Sequence, residues 1–160
     1  MSTNKKTALE AASAYLANRM RTVEEVRRRL REKGYESAEI DDAINDLIGL
    51  RYLDDYLYAQ RYYEYNREKR RGSGRAAREL AEKGVDEQTI RNAREDFLFE
   101  NKVDEFEDAM GVALKALDGR EADDKLRAKI ARKLETAGFS NGDIIRVLGE
   151  INGRQILQDD

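Results

Sequence analysis

Arg67, Lys69, Arg70 and Arg71 lead into Gly72-Ser73-Gly74, and Arg75 and Arg78 follow. Guanidinium groups at this density recognise anions, because each offers a planar fork of donors that fits a carboxylate or a phosphate. The Gly-Ser-Gly lacks the lysine spacing of a phosphate loop and follows no strand. It reads as an interhelical turn whose backbone amides, at a helix N-terminus, could still hold one phosphate or carboxylate. Much other chemistry is excluded by what is missing. The 160 residues include no histidine and no cysteine. That removes the commonest general base near neutral pH, the commonest zinc ligand, thiolate sites and disulfides. Asp54 and Asp55 are adjacent carboxylates, but with no third ligand in view they read as a helix start rather than a metal site. Only carboxylate, lysine or tyrosine chemistry is left, and no constellation of such residues is visible. Neither a catalytic centre nor a cofactor or metal is expected.

Tyr56, Tyr58, Tyr62, Tyr63 and Tyr65 sit just upstream of the cations. Exposed tyrosines beside arginines can stack nucleobases. Helical spacing explains most of the rings as core packing without any ligand, and that is the reading preferred here.

The net charge of −3 conceals strong segregation. Residues 1–33 carry nine basic and four acidic side chains, and residues 61–83 carry eight and four. Residues 34–60 carry one and seven, and residues 84–124 carry five and thirteen. Residues 125–160 return to a basic excess, seven against five. Basic stretches on an otherwise acidic chain point to an anionic partner, while the acidic remainder disfavours indiscriminate coating of DNA. No apolar run approaches the ~20 residues of a membrane span. The N-terminus lacks the apolar core of a signal peptide, so a cytoplasmic location is expected.

The elements that must position these cations repeat. Leu30, Gly34, Tyr35 and Ile40 share their spacing with Leu80, Gly84, Val85 and Ile90, and again with Leu134, Gly138, Phe139 and Ile144. Each set reads as a helix that stops at a left-handed glycine, turns over one apolar residue and starts another helix. Three copies about 50 residues apart indicate tandem units. The expected architecture is all-α, an elongated array of three three-helix repeats. They occupy residues 1–50 (with residues 1–6 as a disordered tail), 51–100 and 101–160.

Within the first repeat, a helix over Thr7–Met20 presents Leu9, Ala12, Leu16 and Met20. Thr22 and Glu25 form a capping box. Ser37 caps a third helix with Ile40, Ile44, Leu47 and Ile48 inward. In the second, Asp54 caps a helix whose apolar face uses Leu57 and Ala59. Arg75–Lys83 follows with Ala76, Ala77 and Leu80 inside. Asp86 then caps a helix with Ile90, Ala93, Phe97 and Leu98 on its buried stripe. In the third, Asn101–Leu117 buries Val103, Phe106, Met110, Ala113, Leu114 and Leu117. The next helix buries Leu126, Ile130 and Leu134. The last, capped by Ser140, buries Ile144, Ile145, Val147, Leu148 and Ile151, and frays over residues 153–160. The register also aligns Arg28, Arg78 and Arg132, each two residues before the repeated leucine. Three equivalent arginines suit a regularly repeating partner such as a nucleoprotein filament.

From about Ala8 to Ile151 the sequence resembles the RecX family, bacterial regulators of the RecA recombinase. Leu53-Asp54-Asp55 with Tyr58-Ala59 carries the resemblance best, together with Arg67, Gly72, Glu79-Leu80 and Lys83-Gly84-Val85. Glu25, Leu30, Lys33-Gly34-Tyr35 and the later Leu134 and Gly138-Phe139 fit the outer repeats. Tyr58 and Val85 stand where the family commonly has phenylalanine and isoleucine, and Ala137 where the other two repeats have lysine. The resemblance implies a non-enzymatic monomer that binds the RecA–DNA filament in its groove and can also bind single- or double-stranded DNA. It implies control of ATP hydrolysis, strand exchange or filament stability in recombination and DNA repair. Arg28, Arg67, Arg70, Arg71, Arg75, Arg78 and Arg132 are the expected contacts. The alternative is a DNA-binding protein that competes directly for the recombinase's substrate.

Overall fold

The computed structural model describes residues 5–158, and among them finds nine α-helices and no strand. They are α1 (Ala8–Leu16), α2 (Val23–Glu32), α3 (Ser37–Gly49), α4 (Asp55–Glu68), α5 (Ser73–Glu82), α6 (Glu87–Glu100), α7 (Glu105–Leu117), α8 (Asp124–Ala137) and α9 (Asn141–Gln158). By packing, the chain falls into two units. Met1–Arg61 joins Leu80–Ala93, and Tyr62–Glu79 joins Arg94–Asp160.

The repeated glycine turn forms as its residues dictate. In all three copies the residue after the glycine donates its N–H to the carbonyl of the repeated leucine, at 3.2 Å for Tyr35, 3.1 Å for Val85 and 3.1 Å for Phe139. This 6→1 bond closes a Schellman turn and satisfies a carbonyl that the helix leaves free. The three glycines have φ of +88°, +85° and +94°. The repeated leucines are fully buried, each worth roughly 1.5–3 kcal/mol of transfer from water.

In the first unit, α1, α2 and α3 pack on one another. Their core is built from Ala8, Ala11, Ala12, Val26, Leu30 and Ile40, with Ala43, Ile44, Leu47 and Leu53. Thr22 and Glu25 make the expected capping box at the start of α2. Asp54 and Asp86 cap α4 and α6, accepting the amides of Leu57 at 3.0 Å and Thr89 at 2.9 Å.

In the second unit, α7, α8 and α9 pack mutually. Their core includes Phe106, Met110, Leu117, Ile130, Leu134 and Val147. The buried Tyr63 ring stacks on Phe97, centroids 5.9 Å apart.

Several expectations require correction. Helix α1 ends at Leu16, not Met20, and Thr7 is its cap. Its buried side is Ala8, Ala11 and Ala12, whereas Leu9 and Met20 are exposed, because small residues let α1 lie close to its neighbours. Glu36, not Ser37, holds the N-cap position of α3, without a side-chain bond. Ile48, Leu57, Leu114 and Ile145 are exposed although they follow apolar spacing. Each lies at the margin of a stripe already filled by smaller or better-centred neighbours. Of the tyrosines, Tyr63 is buried while Tyr52, Tyr56 and Tyr65 are exposed. Helix α5 starts at Ser73, two residues early, and α7 at Glu105, four residues late, where Asp104 accepts the Glu107 amide. Helix α9 continues to Gln158. Of the expected tail, residues 1–4 lie outside the described residues. Lys5 is ordered over the Tyr35 ring, and the Tyr35 hydroxyl donates to the Lys6 carbonyl.

Candidate functional site

The glycine-rich turn before α5 serves backbone packing. The Gly72 amide donates to the Ala137 carbonyl at 2.8 Å. A Cβ on Gly72 or Gly74 would sit 2.7 Å from the Gly138 carbonyl oxygen. The turn between α8 and α9 therefore seats directly on the start of α5, and only glycines allow it. With its amide used this way, Gly72 is not the phosphate ligand that the sequence allowed. Ser73 completes the seat: its hydroxyl bonds to the Glu105 carboxylate and accepts from Arg94 Nε at 2.8 Å. The first unit has the same seat 50 residues earlier. There the Thr22 hydroxyl donates to the Lys83 carbonyl at 2.8 Å, and the Val23 amide donates to Asp55 at 2.9 Å. Burial pushes the Asp55 carboxyl up, against the opposing pull of the Val23 amide.

This seat brings cations together in the second unit. Lys69, Arg70 and Arg71, between α4 and α5, and Arg75 on α5 line one side of a groove of about 590 Å³. Lys115 on α7 and Lys129, Arg132 and Lys133 on α8 line the other. Val112, Thr136 and Ala137 complete the lining, which contains no carboxylate and no aromatic ring. Arg75 holds the two sides together. Its Nε donates to Glu79 at 2.8 Å and its Nη1 to the Thr136 carbonyl at 3.3 Å. Glu79 also accepts the Tyr62 hydroxyl. That bond, then Arg75 and Arg71, holds the Glu79 carboxyl below its usual value. Among the described residues, Arg75 is the one groove cation with a carboxylate partner. Arg71 also acts on the Glu79 carboxylate, and Lys69 lies over the Tyr65 ring.

Of the seven arginines expected from sequence, Arg70, Arg71, Arg75 and Arg132 meet in this groove. Arg67 does not. Its guanidinium grips Asp108 on α7 by two bonds, of 3.0 and 3.3 Å, which raises its pKa further. Together with Arg70 and Arg71 it lines a second groove of mixed charge, about 520 Å³, that also contains Glu64, Glu107 and Phe97. Arg78 is exposed on α5 outside the basic groove, and Arg28 is exposed on α2 in the first unit. Sequence reasoning did not place Lys69, Lys115, Lys129 and Lys133 at the site. Lys129 and Lys133 were readable as one helical face with Arg132, being four residues apart. Lys115 gave no signal, since it stands alone in an acidic helix.

The described residues hold no cluster of acidic side chains fit for a metal, and no described helix is long and apolar enough to cross a membrane. The fold and groove thus define a class: all-helical proteins of three-helix units with a cationic surface. Comparison narrows the class to one family. The first three-helix domain of RecX matches residues 8–47 and the second matches residues 54–93. Regulatory protein RecX of Vibrio parahaemolyticus is 37% identical over 132 residues, 82% of this chain and 83% of that protein. Its namesake in Bacillus velezensis is 32% identical over 136 residues, 84% of this chain. There the chain spans about half the relative's length, 51%. The crystal structure of RecX from Lactobacillus salivarius superposes with a TM-score of 0.77 at 27% identity, covering 91% of this chain and 94% of that one. The chain belongs to the RecX family, whose members named here are regulatory proteins. Residues 101–160, which supply half of the groove's cations, lie beyond both matched domains.

Proposed function

We propose that this protein regulates homologous recombination by binding the RecA–DNA filament and lowering its ATPase and strand-exchange activity, without catalysis of its own. One observation carries the reading: an acid-free groove in which Arg70, Arg71, Arg75 and Arg132 converge with four lysines. Such a surface takes an anionic partner, and a filament of recombinase on DNA is anionic along its length. The regulatory names of the relatives support the same role. Regulation then follows from linkage. A ligand that prefers one filament state shifts its population by the difference in its affinity for the two states, and by no more.

The test is the ATPase of RecA on single-stranded DNA, with wild-type protein and with R70E/R71E/R132E. All three residues are at least partly exposed and, among the described residues, none forms a salt bridge. The variant is expected to keep its helicity by circular dichroism and to lose inhibition. Full inhibition by the variant would refute the assignment of this groove as the filament-binding surface.

A further inference from the structure

We infer that the ends of α3 and α6 carry a repeated protein-docking element. It is an exposed apolar side chain followed three residues later by a cation held in the left-handed region: Ile48 with Arg51 in the first unit, Phe99 with Lys102 in the second. The partner it fits is a protein polymer whose subunits each offer an apolar pocket beside a carboxylate. The polymer rests on the proposed role above, whereas the element itself lies outside the basic groove.

Both members of the element run against what stability alone would select. Among the described residues, Arg51, Arg70, Lys102 and Asp118 have positive φ without being glycine, at +61°, +60°, +49° and +49°. A Cβ is strained there, and the chain uses glycine for the same conformation at Gly34, Gly84 and Gly138. Arg51 and Lys102 occupy equivalent turns. The Arg51 amide donates to the Ile48 carbonyl at 3.0 Å and the Lys102 amide to the Phe99 carbonyl at 3.2 Å. The following amides, of Tyr52 and Val103, donate to the carbonyls of Leu47 and Leu98. Neither cation has an ion pair among the described residues. The helix dipole favours positive charge at a C-terminus, but a cation in the preceding turn would gain the same at ordinary φ. Strain kept where glycine would serve points to a use for the side chain. The apolar members are as costly to leave in water: Ile48 is 46% exposed and Phe99 86%. The glycine turns bury the next residue, as with Val85 and Phe139, yet after Arg51 the Tyr52 side chain stays 69% exposed. One exposed apolar residue needs no explanation. The same pairing at the same place in both units does. Aromatic and arginine side chains around an apolar centre are what anchor protein interfaces. Phosphate would use the cations and leave Ile48, Leu50, Tyr52 and Phe99 wet, so the composition favours a protein surface, and two copies favour one that repeats.

The experiment measures binding of fluorescently labelled protein to RecA assembled on single-stranded DNA and, separately, to the bare strand. The variants are I48S/F99S and R51G/K102G, with thermal unfolding by circular dichroism as a second readout. I48S/F99S is expected to bind the filament about tenfold or more weakly, and the bare strand as wild type does. R51G/K102G is expected to melt about 2–6 °C above wild type, because strain is relieved. It should nonetheless bind the filament roughly 2- to 10-fold more weakly. Wild-type filament affinity in I48S/F99S, or an unchanged or lower Tm in R51G/K102G, would overturn the inference. An equal loss on the bare strand would assign the element to nucleic acid, and dimerisation lost in both variants would assign it to a second copy of the chain. Either result overturns the protein polymer as occupant. If wild type binds the filament and only R70E/R71E/R132E is weakened, the regulatory role stands and this inference falls. If wild type does not bind the filament at all, both fall.

Discussion

Replacing the three turn glycines with alanine should give three different costs from one shared conformation. Gly34, Gly84 and Gly138 all have φ near +90°. Alanine in the left-handed region costs roughly 1–2 kcal/mol. At Gly34 a Cβ would meet nothing within 4 Å, so that is the whole cost expected for G34A. At Gly84 the Cβ would fall 2.3 Å from Glu24 Cβ and 2.5 Å from its Cγ, while the Glu24 Cα stays 3.8 Å away. Rotation of that side chain relieves part of the clash. At Gly138 the Cβ would fall 2.3 Å from Arg75 Cβ, 2.5 Å from Arg75 N and 2.9 Å from Arg75 Cα. Relief there requires the start of α5 to move away from the α8–α9 turn. Overpacking of this kind adds about 1–3 kcal/mol. The order of destabilisation is therefore G34A, then G84A, then G138A, the last at about 2–5 kcal/mol in total. Urea unfolding followed by circular dichroism measures it, with each kcal/mol also appearing as ~2–4 °C in Tm for a chain of this size. Because Arg75 spans the groove, G138A should also weaken anion binding while G34A does not. Equal costs at Gly34 and Gly138 would refute the close seat on which the groove is built.

Two further outcomes follow from hydrogen bonds. The Glu79 carboxyl is depressed in the folded state by the Tyr62 hydroxyl, then by Arg75 and Arg71. A depressed acid contributes stability above its unfolded pKa, here taken as 4.5, and loses it as pH falls through the lower folded value. The wild type should therefore lose more stability than E79Q between pH 6 and pH 3, and superimposable profiles of unfolding midpoint against pH would count against that network. Thr22 is fully buried, caps α2 and donates to the Lys83 carbonyl. T22A is expected to cost about 1–2 kcal/mol and T22S to recover most of it by the same unfolding assay.

The helical turns were legible because their signals are local. Glycine followed by an apolar residue is enough to write a Schellman turn, and Thr22 with Glu25 is enough to write a capping box. Burial was less legible. Leu9, Ile48, Leu57 and Ile145 obey apolar spacing, yet whether a residue at the edge of a stripe is covered depends on the neighbouring helix, which periodicity does not describe. The arginines before and after Gly72 were legible as a cationic run. Their companions were not, because Lys115, Lys129 and Lys133 lie some 40 to 60 residues further along and join them only through the seat of Gly138 on α5. The purpose of Gly72 and Gly74 was hidden for the same reason. Their missing side chains make room for a carbonyl more than 60 residues away.

The two seats have a consequence for anyone who shortens this protein. Each packing unit straddles two helix triplets, so a scissile point placed between triplets cuts through a folded body rather than beside it. A fragment ending at residue 100 would keep Arg67, Gly72 and Ser73 but lose Asp108, Ala137 and Glu105, the partners that fix them. Its middle triplet would be frayed from Tyr62 to Glu79, the stretch that holds the arginines. Fragments trimmed to the matched domains would then understate the intact chain, with loss of activity caused by a missing brace rather than a missing contact.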